Sequence, residues 1–189
     1  MLETERLVLR NFKESDLEDY WEYVSMKEVG PRAGWPAYTD KEKARERLLL
    51  ETTKPNQFAI VLKEENKVIG GVELMDCKKD RYSNLEIEDG AKEIGCVLSE
   101  KYWNKGYMTE AVKEVMRYAF IELNVPVIYT SHAKANIGSG RLQEKCGFEI
   151  VGEVPNYRTW IDGNMTGLVE RKMTREEYLS NNHIIRKSK

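Results

Sequence analysis

Hydrophobic positions along the chain switch between a period of two and a period near 3.6, and each switch marks an element. At residues 5–10, Leu7 and Leu9 alternate with Arg6, Val8 and Arg10, which predicts a strand. Ser15-Asp16-Leu17-Glu18 has the form of a capping box, and Leu17, Tyr20, Trp21 and Val24 follow at helical spacing. Residues 29–38 are rich in glycine and proline and read as a loop around Trp35. Thr39-Asp40-Lys41-Glu42 is a second capping box, opening a helix that ends near Glu51.

Residues 57–63 and 67–75 predict a strand pair about a turn at Glu65-Asn66. A polar connection follows at 77–84, and then strands at 85–88 and 92–99 about Asp89-Gly90. The strongest helical pattern covers 109–123, with Met108, Ala111, Val112, Val115, Met116, Ala119, Phe120 and Leu123 on one face. Pro126 ends it, and 127–132 is rich in strand formers. Residues 136–145 predict a short helix closed by Gly147. A strand at 148–154 follows, then a hairpin turn at Asp162-Gly163 between 157–161 and 165–173. Thr174-Arg175-Glu176-Glu177 is a third capping box, opening a last helix. The pattern defines an α+β fold, a mostly antiparallel sheet with several helices. We expect a single domain over 1–180 and a frayed, lysine-rich end at 181–189.

Composition narrows the function. Of 189 residues, 41% are hydrophobic and 33% charged, enough apolar material for a core. A formal net charge of -2 argues against a nucleic-acid partner. No apolar run reaches the roughly 18 residues of a membrane span, and the first ten residues lack the apolar core of a signal peptide. Cys77, Cys96 and Cys146 are odd in number and far apart, which predicts free thiols in a reducing cytoplasm. With only His132 and His183 besides, no metal site is expected.

The informative segment is EIGCVLSEKYWNKGYMTEA, Glu93 to Ala111, a strand entering a short loop and an amphipathic helix. The first N–H groups of a helix lack partners within it and carry partial positive charge, so backbone alone can hold a phosphate there. Gly106 permits close approach and Lys105 adds charge. On Gly106 alone, an ordinary turn glycine explains as much.

This segment resembles the acetyl-CoA site of the GNAT superfamily, and in particular its branch of ribosomal-protein alanine N-acetyltransferases. The superfamily loop reads Gln/Arg-x-x-Gly-x-Gly/Ala. Here it is Trp103-Asn104-Lys105-Gly106-Tyr107-Met108, keeping the glycine and departing at Trp103 and Met108. The branch's YWGKGY-x-TEA is followed closely by Tyr102 to Ala111. A second block, Asn136-Ile137-Gly138-Ser139-Gly140-Arg141-Leu142-Gln143-Glu144-Lys145-Cys146-Gly147-Phe148, is similar to the family's N-x-x-S-x-x-L-x-E-K-x-G-F unit. The opening Glu3-Thr4-Glu5-Arg6-Leu7-Val8-Leu9-Arg10 resembles the branch's first strand.

The resemblance implies the GNAT fold, with a V-shaped gap between two central strands near Leu98 and Tyr129. It implies acetyl-CoA as donor, held by the loop and helix start at Trp103, Asn104, Lys105, Gly106, Tyr107, Met108 and Thr109. Cys96, Val97 and Leu98 would pair with the pantetheine and offer an N–H to the thioester oxygen. Many members protonate the departing thiolate with a tyrosine. Gln143 stands in that place, and the branch can use the serine instead, here Ser139. Asn136 would bond to the pantetheine or cap the following helix.

For the base, Glu93 is the first choice and Glu73 the second, each weighed against a plain surface carboxylate. Cys96 lacks a visible basic partner and reads as a core thiol. Trp103 and Tyr107 read as core or cleft wall, and His132 receives no role. The acceptor is expected to be a protein N-terminal amine. The rivals are a small amine (an aminoglycoside, polyamine or amino acid) and a non-catalytic acetyl-CoA-binding module. Residues 29–38, 77–84 and 155–163 should frame the acceptor side. Arg32, in a loop without acids, argues against a polycation. A monomer or homodimer is expected.

Overall fold

The computed structural model describes residues 1–77, 82, 85–159, 161 and 163–187, with backbone alone over 182–187. Eight strands form one sheet: β1 (Leu2–Glu3), β2 (Leu7–Arg10), β3 (Gln57–Leu62), β4 (Lys67–Asp76), β5 (Lys92–Leu98), β6 (Val127–Ala133), β7 (Glu149–Arg158) and β8 (Met165–Thr174). Their order is β1-β2-β3-β4-β5-β6-β8-β7. Every neighbouring pair is antiparallel except β5 and β6, which are parallel and joined by only two registered pairs, Lys92↔Ile128 and Glu93↔Tyr129. Beyond them the strands part. The Thr130 hydroxyl donates to the Ile94 carbonyl at 3.2 Å, a side chain taking the place of the next ladder bond.

Among the described residues six α-helices cover the sheet: α1 (Leu17–Val24), α2 (Val29–Ala33), α3 (Lys41–Thr53), α4 (Tyr107–Arg117), α5 (Ile137–Lys145) and α6 (Arg175–Lys187). The apolar stripe of α4 packs Ala111, Val112, Val115 and Met116 against Ile60, Val72, Ile94 and Leu98. It continues in a π-helical turn, Tyr118–Glu122, that buries Ala119 and Phe120. On the other face, Tyr20, Tyr23 and Val24 of α1 and Ala44 and Leu48 of α3 pack over Ala59, Val61 and Val68. Each cluster joins residues that share one face of an alternating strand, which is why the period-two pattern locates them.

Several boundaries differ from the sequence expectation. Residues 29–38 begin with α2, closed by Gly34 in the left-handed region at φ 93°. The first cap lies a turn early. Asp16 takes the N–H of Lys13 at 2.8 Å and both guanidinium nitrogens of Arg10 at 2.7 and 2.8 Å, and a 3₁₀ turn, Glu14–Asp16, precedes α1. Asp40, not Thr39, caps α3. Residues 85–88 form no strand. The stretches 148–154 and 157–161 merge into β7, whose register shifts between Val154 and Tyr157, where Asn156 has a φ of 59°. Gly163 makes the expected turn at φ 73°, while Asp162 and most of 77–84 lie outside the described residues. The Thr174–Glu177 box is present, with Thr174 N–H and Oγ1 donating to Glu177 Oε2 at 2.8 and 2.7 Å. The segment expected to fray carries helical backbone to Lys187.

Candidate active site

The loop between β5 and α4 is held from its far side. Trp103 donates its indole N–H to the Leu98 carbonyl at 2.9 Å and carries the Arg32 guanidinium over its ring at 5.4 Å. Asn104 turns the chain at φ 61°, and Gly106 stands at the head of α4 at φ 83°. A Cβ on Gly106 would meet only Arg6 Nη2 at 3.4 Å, so the backbone conformation, not crowding, selects glycine. The first bond of the helix is Glu110 N–H to the Gly106 carbonyl at 3.0 Å, and no side chain caps the end. The N–H groups of Tyr107, Met108 and Thr109 therefore precede the intrahelical ladder and face outward as an anion seat.

Two of the sequence blocks meet here. Glu110 accepts from Thr4 Oγ1 at 2.6 Å, Arg6 N–H at 2.9 Å and Arg6 Nε at 2.7 Å. Arg6 also donates to the Lys105 carbonyl at 3.1 Å and lies over the Tyr107 ring at 4.4 Å. Burial opposes ionisation of Glu110, yet the bonds from Thr4 and Arg6 outweigh it and hold the carboxyl below its ordinary range.

The gap between β5 and β6 opens onto this seat. Residues alternate in the edge to which their N–H and C=O point. Ile94 presents its carbonyl to Thr130 across the gap, so Cys96 and Leu98 face the same edge. The Leu98 carbonyl is taken by Trp103, leaving the N–H and C=O of Cys96 directed into the gap. The Val97 carbonyl points the other way, toward β4, where a Cβ on Gly70 would lie 2.3 Å from it. The Cys96 thiol is packed against the core, and burial pushes it up to about 12, so it is no nucleophile at neutral pH.

The far wall of the gap is the start of α5. Asn136 caps it, its Oδ1 accepting from Ser139 N–H at 3.2 Å, and its Nδ2 donates to the Arg32 carbonyl at 2.9 Å, tying α2 across the mouth. Gln143 is buried and bridges to β6. Its Nε2 lies 3.2 Å from the Ser131 carbonyl, 3.2 Å from Thr130 Oγ1 and 3.3 Å from Ser139 Oγ. The amide nitrogen must face a carbonyl, so its oxygen accepts from His132 Nδ1 at 2.8 Å and fixes the protonated ring nitrogen. Burial lowers the His132 pKa against the opposing bond from Gln143, keeping the ring neutral at pH 7.

A cavity of about 430 Å³ runs from this wall beneath α1, α2 and α3. Glu93, Ser139, Cys96 and Val97 line it together, as does Glu73. Glu93 is buried and sits on the last residue pair before the strands part. Glu73 is ion-paired with Lys54 at 3.4 Å. With its amide nitrogen turned to the two carboxylates, Gln57 donates to Glu73 Oε2 at 2.9 Å and Glu51 Oε2 at 3.2 Å. Glu51, paired with Arg47 at 2.5 Å and Lys54 at 3.2 Å, lines the cavity beside them.

Most of the anticipated residues thus converge on the gap. Trp103 serves the loop's own structure through Leu98. Lys105 is exposed, with its ammonium over the Tyr102 ring at 5.3 Å. Sequence reasoning passed over Gln143 as a structural bridge, and over Glu51, His132 and the aromatic roof of Tyr20 and Tyr23. Polar groups at buried helix positions, Glu51 on α3 and Gln143 on α5, were the available signal.

The acetyltransferase (GNAT) domain profile matches residues 6–149, and the chain belongs to that family. It is 29% identical over 180 residues to an uncharacterized N-acetyltransferase, p20, of Bacillus licheniformis, covering 90% of this chain and 97% of that one. A GNAT-family acetyltransferase structure from Bacillus anthracis superposes with a TM-score of 0.79 at 25% identity, covering 93% of this chain and 99% of that one. Spermidine N-acetyltransferase from Vibrio cholerae, solved with CoA and spermine, shares the fold with a TM-score of 0.72 at 20% identity, covering 93% and 99%. The protein is therefore an N-acetyltransferase of the GNAT fold, an eight-stranded mixed sheet flanked by helices. No described helix is long and apolar enough to cross a membrane.

Proposed function

We propose that the chain transfers an acetyl group from acetyl-CoA to a primary amine by direct attack. The observation that carries this is the open edge of β5, which faces the uncapped start of α4 at one end and the carboxylate-lined cavity at the other. The pyrophosphate binds the N–H groups of Tyr107, Met108 and Thr109. The pantetheine lies along Cys96 to Leu98 as a short extra strand, and Asn136 adds an amide contact.

Direct attack needs a neutral amine. Glu93, at the foot of the gap, accepts its proton directly or through water. The Cys96 N–H points to where the thioester oxygen becomes negative. Ser139 Oγ, held by Gln143, relays a proton from water to the leaving thiolate. The transferred acetyl forms an amide, the C–S bond breaks, and CoA leaves as the thiol. The high pKa of Cys96 argues against an acyl-cysteine route.

The branch resemblance supports a protein N-terminal amine as acceptor. A small amine is the second reading, favoured by a cavity of about 430 Å³ lined by Glu51, Glu73 and the aromatic rings of α1. Cys77, Cys96 and Cys146 stand outside any disulfide among the described residues, which fits a cytoplasmic setting. Acetyl-CoA-dependent thiol release across amine classes, with short peptides among them, tests the reading. Acetyl-CoA binding without turnover of any amine would identify a binding module instead.

A further inference from the structure

We infer that Gln143 and His132 are positioning residues, which together turn the Ser139 hydroxyl hydrogen away from α5 and toward the leaving thiolate. This rests on the acetyltransferase reading above and deepens its leaving-group step.

A hydroxyl relays a proton only if its hydrogen is not spent on a neighbouring acceptor. Helical serines commonly spend theirs on a backbone carbonyl one turn back. Among the described residues Ser139 Oγ donates to no protein acceptor, and the side chain bonded to it is a donor, Gln143 Nε2 at 3.3 Å. The orientation of that amide therefore decides where the serine hydrogen goes. Turned over, Gln143 would present its oxygen to Ser139 and hold the hydrogen against the helix.

Three contacts on β6 prevent the turn. The Ser131 carbonyl, 3.2 Å from Nε2, can only accept, so it keeps a nitrogen hydrogen beside it. The Thr130 hydroxyl gives its own hydrogen to the Ile94 carbonyl at 3.2 Å, so toward Nε2, also 3.2 Å away, it too accepts. On the other side of the amide, His132 Nδ1 lies 2.8 Å from Oε1 and donates to it. Gln143 is 4% exposed, and a mismatched amide at such a site is costly. Gly140 lets α5 settle on the imidazole, since a Cβ there would lie 2.8 Å from His132 Nε2.

In the step itself the C–S bond breaks, the thiolate takes the Ser139 hydrogen, and the serine oxygen takes one from water. Gln143 exchanges no proton. Its bond to Oγ polarises the O–H and steadies the oxygen as the hydrogen departs.

The test measures kcat for thiol release from acetyl-CoA with the best amine, beside the acetyl-CoA dissociation constant by calorimetry. Gln143→Met, of similar reach, should lower kcat about five- to tenfold, the scale of one hydrogen bond, and leave the dissociation constant within about twofold. Added to Ser139→Ala, it should cost less than about twofold more, because the hydroxyl it orients is gone. His132→Leu should lower kcat about threefold, and His132→Asn, which keeps an N–H near the place of Nδ1, should restore it. Nitrogen-15 NMR of histidine-labelled wild-type enzyme checks the lock without a variant and should show neutral His132 protonated at Nδ1. Losses from Gln143→Met and Ser139→Ala that multiply, an equal loss of acetyl-CoA affinity, no rescue by asparagine, or a proton on Nε2 overturns the inference alone. Wild-type kcat in Ser139→Ala removes the serine step, and the inference with it. Absence of thiol release with every amine removes the acetyltransferase reading as well.

Discussion

Glu110 joins the cofactor loop to the first strands, and its removal should be felt in both stability and binding. In Glu110→Ala, three acceptor bonds vanish together: Thr4 Oγ1 at 2.6 Å, Arg6 N–H at 2.9 Å and Arg6 Nε at 2.7 Å. The Glu110 side chain is 19% exposed, but that of Arg6 is 41% exposed, so water screens the ion pair and it counts for ~0.5 kcal/mol. The other two bonds go to a charged acceptor and leave a hydroxyl and a backbone N–H to find water, ~1 kcal/mol each. The sum is about 2–3 kcal/mol, or a fall of about 4–10 °C in melting temperature for a chain of this size. Glu110→Gln keeps one oxygen for Thr4 and the Arg6 N–H and should recover about half. Because the folded carboxyl titrates below its ordinary range, its contribution is present above the unfolded pKa of ~4.3 and fades as pH falls through the folded value. The alanine variant should therefore lose less stability on acidification than wild type. Thermal melts at neutral pH and at pH 4, with acetyl-CoA titrations alongside, read all of this. A wild-type melting temperature, or an unchanged gap between the two proteins on acidification, would refute the reasoning.

Three further outcomes are expected. Gly106→Ala places an L-residue at φ 83°, at a cost of roughly 1 kcal/mol, while Gly106→Val adds bulk at the anion seat; calorimetry should show acetyl-CoA affinity falling more in valine than in alanine. Ser139→Ala should lower kcat more than it changes the KM for acetyl-CoA, since Asn136 still takes the residue's N–H; steady-state kinetics decide, and equal values in both proteins would leave the thiolate to solvent. Glu93→Gln should slow transfer by about 10²-fold, with the deficit shrinking as pH rises past ~8 and an α-amine deprotonates unaided; a wild-type pH–rate profile would shift the role to Glu73.

What the sequence made legible follows from the range of the forces involved. The period-3.6 stripe of α4 and the alternation in β2 are local, and both elements lie within a few residues of their expected positions. The Gly106 turn and the Asn136 cap are likewise set by neighbours in sequence. Residues 29–33 read as loop because Gly30 and Pro31 are poor helix formers, yet Pro31 falls in the first turn, where its missing N–H costs nothing. Residues 85–88 have strand-like composition, but Ile87 is buried in a small cluster with Ala91, Val127 and Tyr129 and pairs with no strand. The partners of Glu51, the bridge from Gln143 to His132 and the orphaned Tyr23 phenol depend on contacts between distant segments. No spacing along the chain encodes them.

The seam between β5 and β6 bears on how the protein is assembled in time. Strands β2 to β5 pair in sequence order, and β6 to β8 form a second half built on the β7–β8 hairpin, each held by long registered ladders. The join between them crosses α4 and rests on only two residue pairs, so it offers the least reward of any pairing in the sheet apart from the short β1–β2 edge. It should form last on the folding path and exchange its amide hydrogens first in the native state. An extended ligand lying along the Cys96 edge would act as a ninth strand, so amide protection of the second half should rise when the first half is occupied.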